Sequence, residues 1–166
     1  RSNLRNLLET RREEILSVRL SLLEEIVADA LSVKAKIVEQ DFLENDIRAH
    51  LNLGHTFGHA LESVTGFQDF THGEGVAWGI DKAMRTGVRI GATEPGYAKE
   101  VTALLGSYGF ELGNLPDRAS EIVGAMRQDK KKRGGNVRFV LQRSWGETYV
   151  APVDDEIVLS VLTDRG

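Results

Sequence analysis

RAHLNLGHTFGHALESVTGFQDFTHGEGVAW, residues 48–78, holds every histidine of the chain: His50, His55, His59 and His72. His55 and His59 are four residues apart, so on a helix they share one face, one turn apart. His72 opens a second amphipathic run, with Gly73 and Glu74 directly behind it. Residues 51–65 read as a helix stopped at Gly66, and residues 73–91 as the next, across a loop at 67–71. A loop that short makes the two helices neighbours, so the rings of His55 and His72 can meet across the pair. Gly54 and Gly58, also four apart, weaken a helix relative to alanine. Their presence points to the close approach of another helix or of a ligand.

Working outward, residues 3–18 carry leucines and isoleucine at helical spacing, with Thr10 placed to break the run and cap a second helix. Residues 20–40 form a cleaner pattern, with Leu22, Leu23, Ile26, Val27, Ala30, Leu31, Val33, Ile37 and Val38 on an apolar side. Lys34 and Lys36 stand near its end, and the acidic stretch 41–48, DFLENDIR, reads as a loop. Beyond the histidine region, Glu94-Pro95 opens a helix ending at Gly109. Leu115-Pro116-Asp117 opens another that reaches about Gln128, before the run Asp129-Lys130-Lys131-Lys132-Arg133. Taken alone, that run reads as a solvated loop. Residues 137–141 and 148–151 read as two strands turned at Ser144–Gly146, and residues 154–162 as a closing helix. The chain is therefore expected to be one mainly α domain, residues 1–166, with a small β-hairpin near its end.

Composition removes several functional classes. Hydrophobic residues at 41% and charged residues at 28% are ordinary for a soluble globular protein. A formal charge of −4 gives no general attraction to nucleic acid or to an anionic membrane. The chain has no cysteine, which excludes disulfides and thiolate chemistry and fits a cytoplasmic protein. No apolar run reaches the ~20 residues that cross a bilayer. The pattern HExxH is absent, as are a His-Asp doublet and a G-x-S-x-G elbow, so a zinc protease, that type of phosphohydrolase and a serine hydrolase all lack support. Two neutral imidazoles with one carboxylate and water would make a catalytic zinc site, whereas hydrogen-bonded structural histidines would leave the same pattern. Arg48, Asn52, Lys34 and Lys130 are the cationic and amide groups that could hold carboxylate or phosphate.

The block LNLGHTFGHALE, followed by THGEGVAWGI and then by DKK and RFVL, resembles the C-terminal domain of the 3-dehydroquinate synthase family. That family belongs to the sugar phosphate cyclases, related in fold to iron-dependent alcohol dehydrogenases and glycerol dehydrogenase. The resemblance extends upstream through KAKIVEQDFLENDIR and covers most of the chain. It departs at Asp46-Ile47, where Gly-Leu is usual, and at Gly75, where Ala follows HGE.

The resemblance implies that His55 and His72 bind a divalent metal, zinc or cobalt, and that His59 contacts substrate and carries protons. Lys34, Arg48, Asn52 and Lys130 match substrate-binding positions, the first three with a catalytic role. Glu44 matches an acidic residue near the site, and His50 is a bystander. The implied reaction converts 3-deoxy-D-arabino-heptulosonate 7-phosphate to 3-dehydroquinate and phosphate, in the shikimate route to aromatic amino acids. It would run through transient oxidation by NAD, loss of phosphate, re-reduction, ring opening and aldol closure. A third metal ligand, a glutamate, and an N-terminal NAD-binding domain would lie upstream. The chain starts at Arg1 without Met and contains no G-x-G-x-x-G. It is accordingly expected to be part of a longer protein and inactive alone, and a homodimer by family analogy. The alternatives are another cyclase, making a valiolone or an inosose, and a non-catalytic helical module that binds a metal or a partner. Asn52 and the DKK run favour the dehydroquinate branch.

Overall fold

The computed structural model describes residues 3–43, 46–66, 69–133 and 137–164, with only the backbone described at 129–133. Contacts divide the chain into two compact units, Arg1–Leu51 and Asn52–Gly166.

The first unit contains α1 (Leu4–Thr10), α2 (Arg12–Leu16) and α3 (Leu20–Gln40). The Thr10 hydroxyl donates to the Asn6 carbonyl at 2.6 Å, so it closes α1 instead of capping α2. The long amphipathic pattern does form one helix, α3, over the expected residues. Its apolar side is nevertheless largely open: Leu22 is buried, but Val27, Leu31 and Val33 are exposed. The acidic stretch after α3 is organised by Asp41, whose carboxylate accepts from the backbone N–H groups of Asp46 at 2.8 Å and Arg48 at 3.0 Å. A tight 3-10 turn, Ile47–Asn52, follows and leads into the second unit.

The second unit contains α4 (His55–Val64), α5 (His72–Arg89), α6 (Pro95–Ser107), α7 (Ala119–Arg133) and α8 (Asp155–Thr163). Between α7 and α8 lies an antiparallel hairpin of β1 (Arg138–Gln142) and β2 (Thr148–Pro152), in which Val140 faces Val150. Phe57 and Leu61 of α4, Trp78 of α5, Ile122 of α7, Phe139 of β1 and Leu162 of α8 share one buried core. The Phe57 ring lies 5.3 Å from Phe139 and 6.4 Å from Trp78, at tilted and edge-on angles favoured by aromatic pairs. No described helix is long and apolar enough to cross a membrane.

Two element boundaries differ from the sequence expectation. Residues 51–54 are not part of α4, because Gly54 sits at φ +80 and the helix begins only after it. The basic run is not a loop: α7 continues through it to Arg133. Lysine and arginine are good helix formers, and cations at a helix C-terminus oppose the negative end of its dipole.

A buried charge cluster ties α5 to its neighbours. The Asp81 carboxylate accepts from Lys82 Nζ at 2.7 Å, Arg85 Nε at 2.9 Å and the Thr102 hydroxyl of α6 at 2.9 Å. Lys82 Nζ also donates to the Leu112 carbonyl at 2.6 Å. Burial pushes the Lys82 ammonium below the ordinary lysine value, and Asp81 opposes that shift.

The α4–α5 contact is made backbone to backbone. A methyl carbon built on Gly79 would lie 2.1 Å from the Gly54 carbonyl oxygen, and one on Gly58 would lie 2.9 Å from the Gly75 oxygen. The expected close approach is therefore that of a helix. By contrast, a methyl on Gly75 would first meet Glu62 at 3.5 Å, an ordinary contact. Gly79→Ala is expected to lose about 3 kcal/mol in urea unfolding, since overpacking here must move backbone. Gly75→Ala is expected to be neutral or to gain up to about 1 kcal/mol from helix propensity.

Candidate metal centre

The apolar face of α4, with Phe57, Ala60 and Leu61, is fixed in the core. The opposite face, with His55, His59 and Glu62, is turned toward α5, whose first residue is His72. A capping box sets that start: the Thr71 hydroxyl accepts from the Glu74 N–H at 3.4 Å, and Glu74 accepts from the Thr71 N–H at 2.8 Å. Glu74 is thus engaged at the helix end: the Thr71 hydroxyl donates to its carboxylate at 2.6 Å, and this bond together with that from the Thr71 N–H holds the carboxyl below the ordinary glutamate value. The T-x-x-E pattern was readable in the sequence as a helix start.

The three rings converge. One ring nitrogen from each of His55, His59 and His72 lies within 4.8 Å of those of the other two. Ring centroids are 5.4 Å apart for His55–His59, 5.5 Å for His55–His72 and 5.9 Å for His59–His72. Nitrogens on one tetrahedral zinc sit about 3.3 Å apart, so rings at this separation are close enough for two of them to share an ion while the third stays beside it. His55 is half-buried while His59 and His72 are exposed, which leaves an open side for further ligands.

Hydrogen bonds orient two of the rings. His55 Nδ1 lies 3.2 Å from the Leu53 carbonyl, which can only accept, so Nδ1 carries the proton and Nε2 keeps its lone pair. Burial lowers the His55 pKa from the ordinary imidazole value, and the adjoining His59 and His72 push the same way. The neutral ring that results is the form that binds a metal. His72 Nδ1 lies 2.9 Å from Glu62 Oε1, and the Glu62 side chain is only 7% exposed. This carboxylate was not singled out in the sequence. The available signal was its position seven residues after His55 and three after His59, on the same helix face.

The remaining expected site residues are placed less completely. Asn52 begins the second unit, three residues before His55. Lys34, exposed on α3, and Arg48, in the 3-10 turn, belong to the first unit, as does His50. The Arg48 guanidinium donates to the Phe42 carbonyl at 2.8 Å. Lys130 lies on α7 with its side chain outside the described residues, and Glu44 lies outside them entirely.

Comparison with known proteins agrees with this picture. A family model described as 3-dehydroquinate synthase C-terminal matches residues 2–132. A 3-dehydroquinate synthase of Dictyoglomus thermophilum is 37% identical over 145 residues, which is 87% of this chain and 41% of the relative. A solved 2-deoxy-scyllo-inosose synthase, complexed with carbaglucose-6-phosphate, NAD+ and Co2+, superposes with a TM-score of 0.75 at 21% identity, over 86% of this chain and 41% of that one. The 2-epi-5-epi-valiolone synthase of Streptomyces hygroscopicus, with NAD+ and Zn2+ bound, gives 0.71 at 17% identity, over 95% and 45%. These two likenesses establish a shared fold. The chain spans about two fifths of the curated relatives' length.

Zinc or cobalt added to the chelator-stripped chain is expected to raise its thermal midpoint. At a free ion concentration a hundredfold above Kd the stabilisation would be about 2.7 kcal/mol. Identical melts with chelator and with metal would contradict a centre here.

Proposed function

Because this chain belongs to the 3-dehydroquinate synthase C-terminal family, we propose that it is the metal- and substrate-binding part of such an enzyme. The reaction proposed for the whole enzyme converts 3-deoxy-D-arabino-heptulosonate 7-phosphate to 3-dehydroquinate and phosphate. The observation that carries the proposal is the convergence of His55, His59 and His72 on two touching helices, inside the family-matched region. NAD would be held by an N-terminal domain of the whole enzyme. The dimeric assembly and cytoplasmic location implied by the family belong to the same proposal.

His55 and His72 would hold a divalent ion through Nε2, the nitrogen that each leaves free when Nδ1 is hydrogen-bonded. An ion bound there supplies Lewis-acid polarisation of substrate oxygens. The exposed imidazole of His59, 5.4 Å from His55 between ring centroids, would take a proton from substrate and return it. Asn52 would orient a substrate hydroxyl through its side-chain amide. The cationic groups of Lys34, Arg48 and Lys130 would neutralise the carboxylate and phosphate, Arg48 as a fork and the lysines as point charges. Support for a nicotinamide and a metal comes from the NAD+ with Co2+ or Zn2+ in the two cyclase structures.

The test is to co-express the chain with the part of the Dictyoglomus relative that it does not match and to measure phosphate release from the heptulosonate phosphate with NAD present. Release is expected. His59→Gln should lower kcat by about 100- to 10,000-fold while the metal content persists. His55→Ala should lose metal and turnover together. A folded complex that releases no phosphate would contradict the proposal.

A further inference from the structure

Glu62 takes no part in the chemistry just described, yet it is the most deeply placed charged group beside the histidines. Its side chain is 7% exposed, and its Oε1 lies 2.9 Å from Nδ1 of a ring that is itself 62% exposed. An exposed imidazole on the first residue of a helix has open rotamers and two neutral tautomers. A buried carboxylate has little of either freedom, because it is costly to bury without a donor and holds the donor it finds. The constraint therefore runs from Glu62 to His72. Glu62 follows the fully buried Leu61 on α4, and its side chain lies beside Gly75 of α5.

We propose that Glu62 is a positioning residue that selects the Nδ1-protonated tautomer of His72 and aims its Nε2 at the cluster with His55 and His59. An ionised carboxylate can only accept, so the shared proton sits on Nδ1 and the lone pair on Nε2. The Leu53 carbonyl does the same for His55. One backbone oxygen and one buried carboxylate thus present two matched nitrogens from two different helices. Carboxylate–histidine pairs of this kind also raise the basicity of the ligating nitrogen. The arrangement does not require glycine at position 75: a methyl there would touch Glu62 Cγ and Oε1 at 3.5 Å, an ordinary contact.

The metal consequence rests on His72 being a ligand, so the test separates the two questions. In the first arm, ¹⁵N-edited NMR of the metal-free chain reads the His72 tautomer in the unaltered protein, in Glu62→Gln and in Glu62→Leu. The unaltered ring should be Nδ1-protonated. The leucine variant, which keeps the volume and removes the acceptor, should shift to the Nε2-protonated form. In the second arm, cobalt titrations followed by visible absorption should show affinity about 10- to 100-fold weaker in both variants. An unchanged His72 tautomer in Glu62→Leu, with the fold intact by circular dichroism, would overturn the inference. A shifted tautomer with unchanged cobalt affinity would uphold the positioning role and count against His72 as a ligand.

Discussion

The second unit depends on how closely α4 and α5 approach. At Gly79 there is no room for a methyl group against the Gly54 carbonyl, and Gly58 lies similarly close to Gly75. With glycine at these positions, the backbones of the two helices come into direct contact. The side chains flanking the seam are then forced to meet: His55 and His59 from one helix, His72 from the other. The glycines lower the intrinsic stability of both helices, and the shared aromatic and aliphatic core offsets that loss. The site is thus a geometric consequence of where the chain omits side chains.

Polarity completes what the seam begins. The inner face of α4 carries Phe57 and Leu61 into the core, which fixes the rotation of the helix and so the direction of its histidines. Partial burial favours the neutral form of His55, and hydrogen bonds to fixed acceptors orient both His55 and His72. Farther along α5, the Asp81 cluster joins the helix to α6 through buried charge–charge and charge–dipole contacts. A buried charged group of this kind is costly when its partner is missing, which favours one register of α5 over its neighbours.

Much of this was legible in the residues. The periodicity of residues 20–40 gave α3, Gly66 marked the end of α4, and two short strand-like runs around the Ser144–Gly146 turn gave the hairpin. The i,i+4 histidines and the HGE that follows located the candidate centre. What escaped were features set by tertiary distance. The turn at Gly54 looked helical because only the facing backbone of α5 makes its positive φ necessary. The basic run has the charge of a solvated loop, but the helix propensity of its lysines carries α7 through it. Glu62 pairs with a residue ten positions away across a loop, a relation with no local period. The exposed apolar side of α3 was equally hidden, since an amphipathic pattern reports two faces but not what covers either.

The central claim is that two histidines from touching helices bind one divalent ion. X-ray absorption at the zinc edge of the zinc-loaded chain tests this most directly. The account predicts nitrogen or oxygen neighbours at about 2.0 Å with outer-shell scattering from two imidazoles. His72→Ala should leave scattering from one. Zinc bound with no imidazole scattering, or with scattering unchanged in His72→Ala, would contradict it.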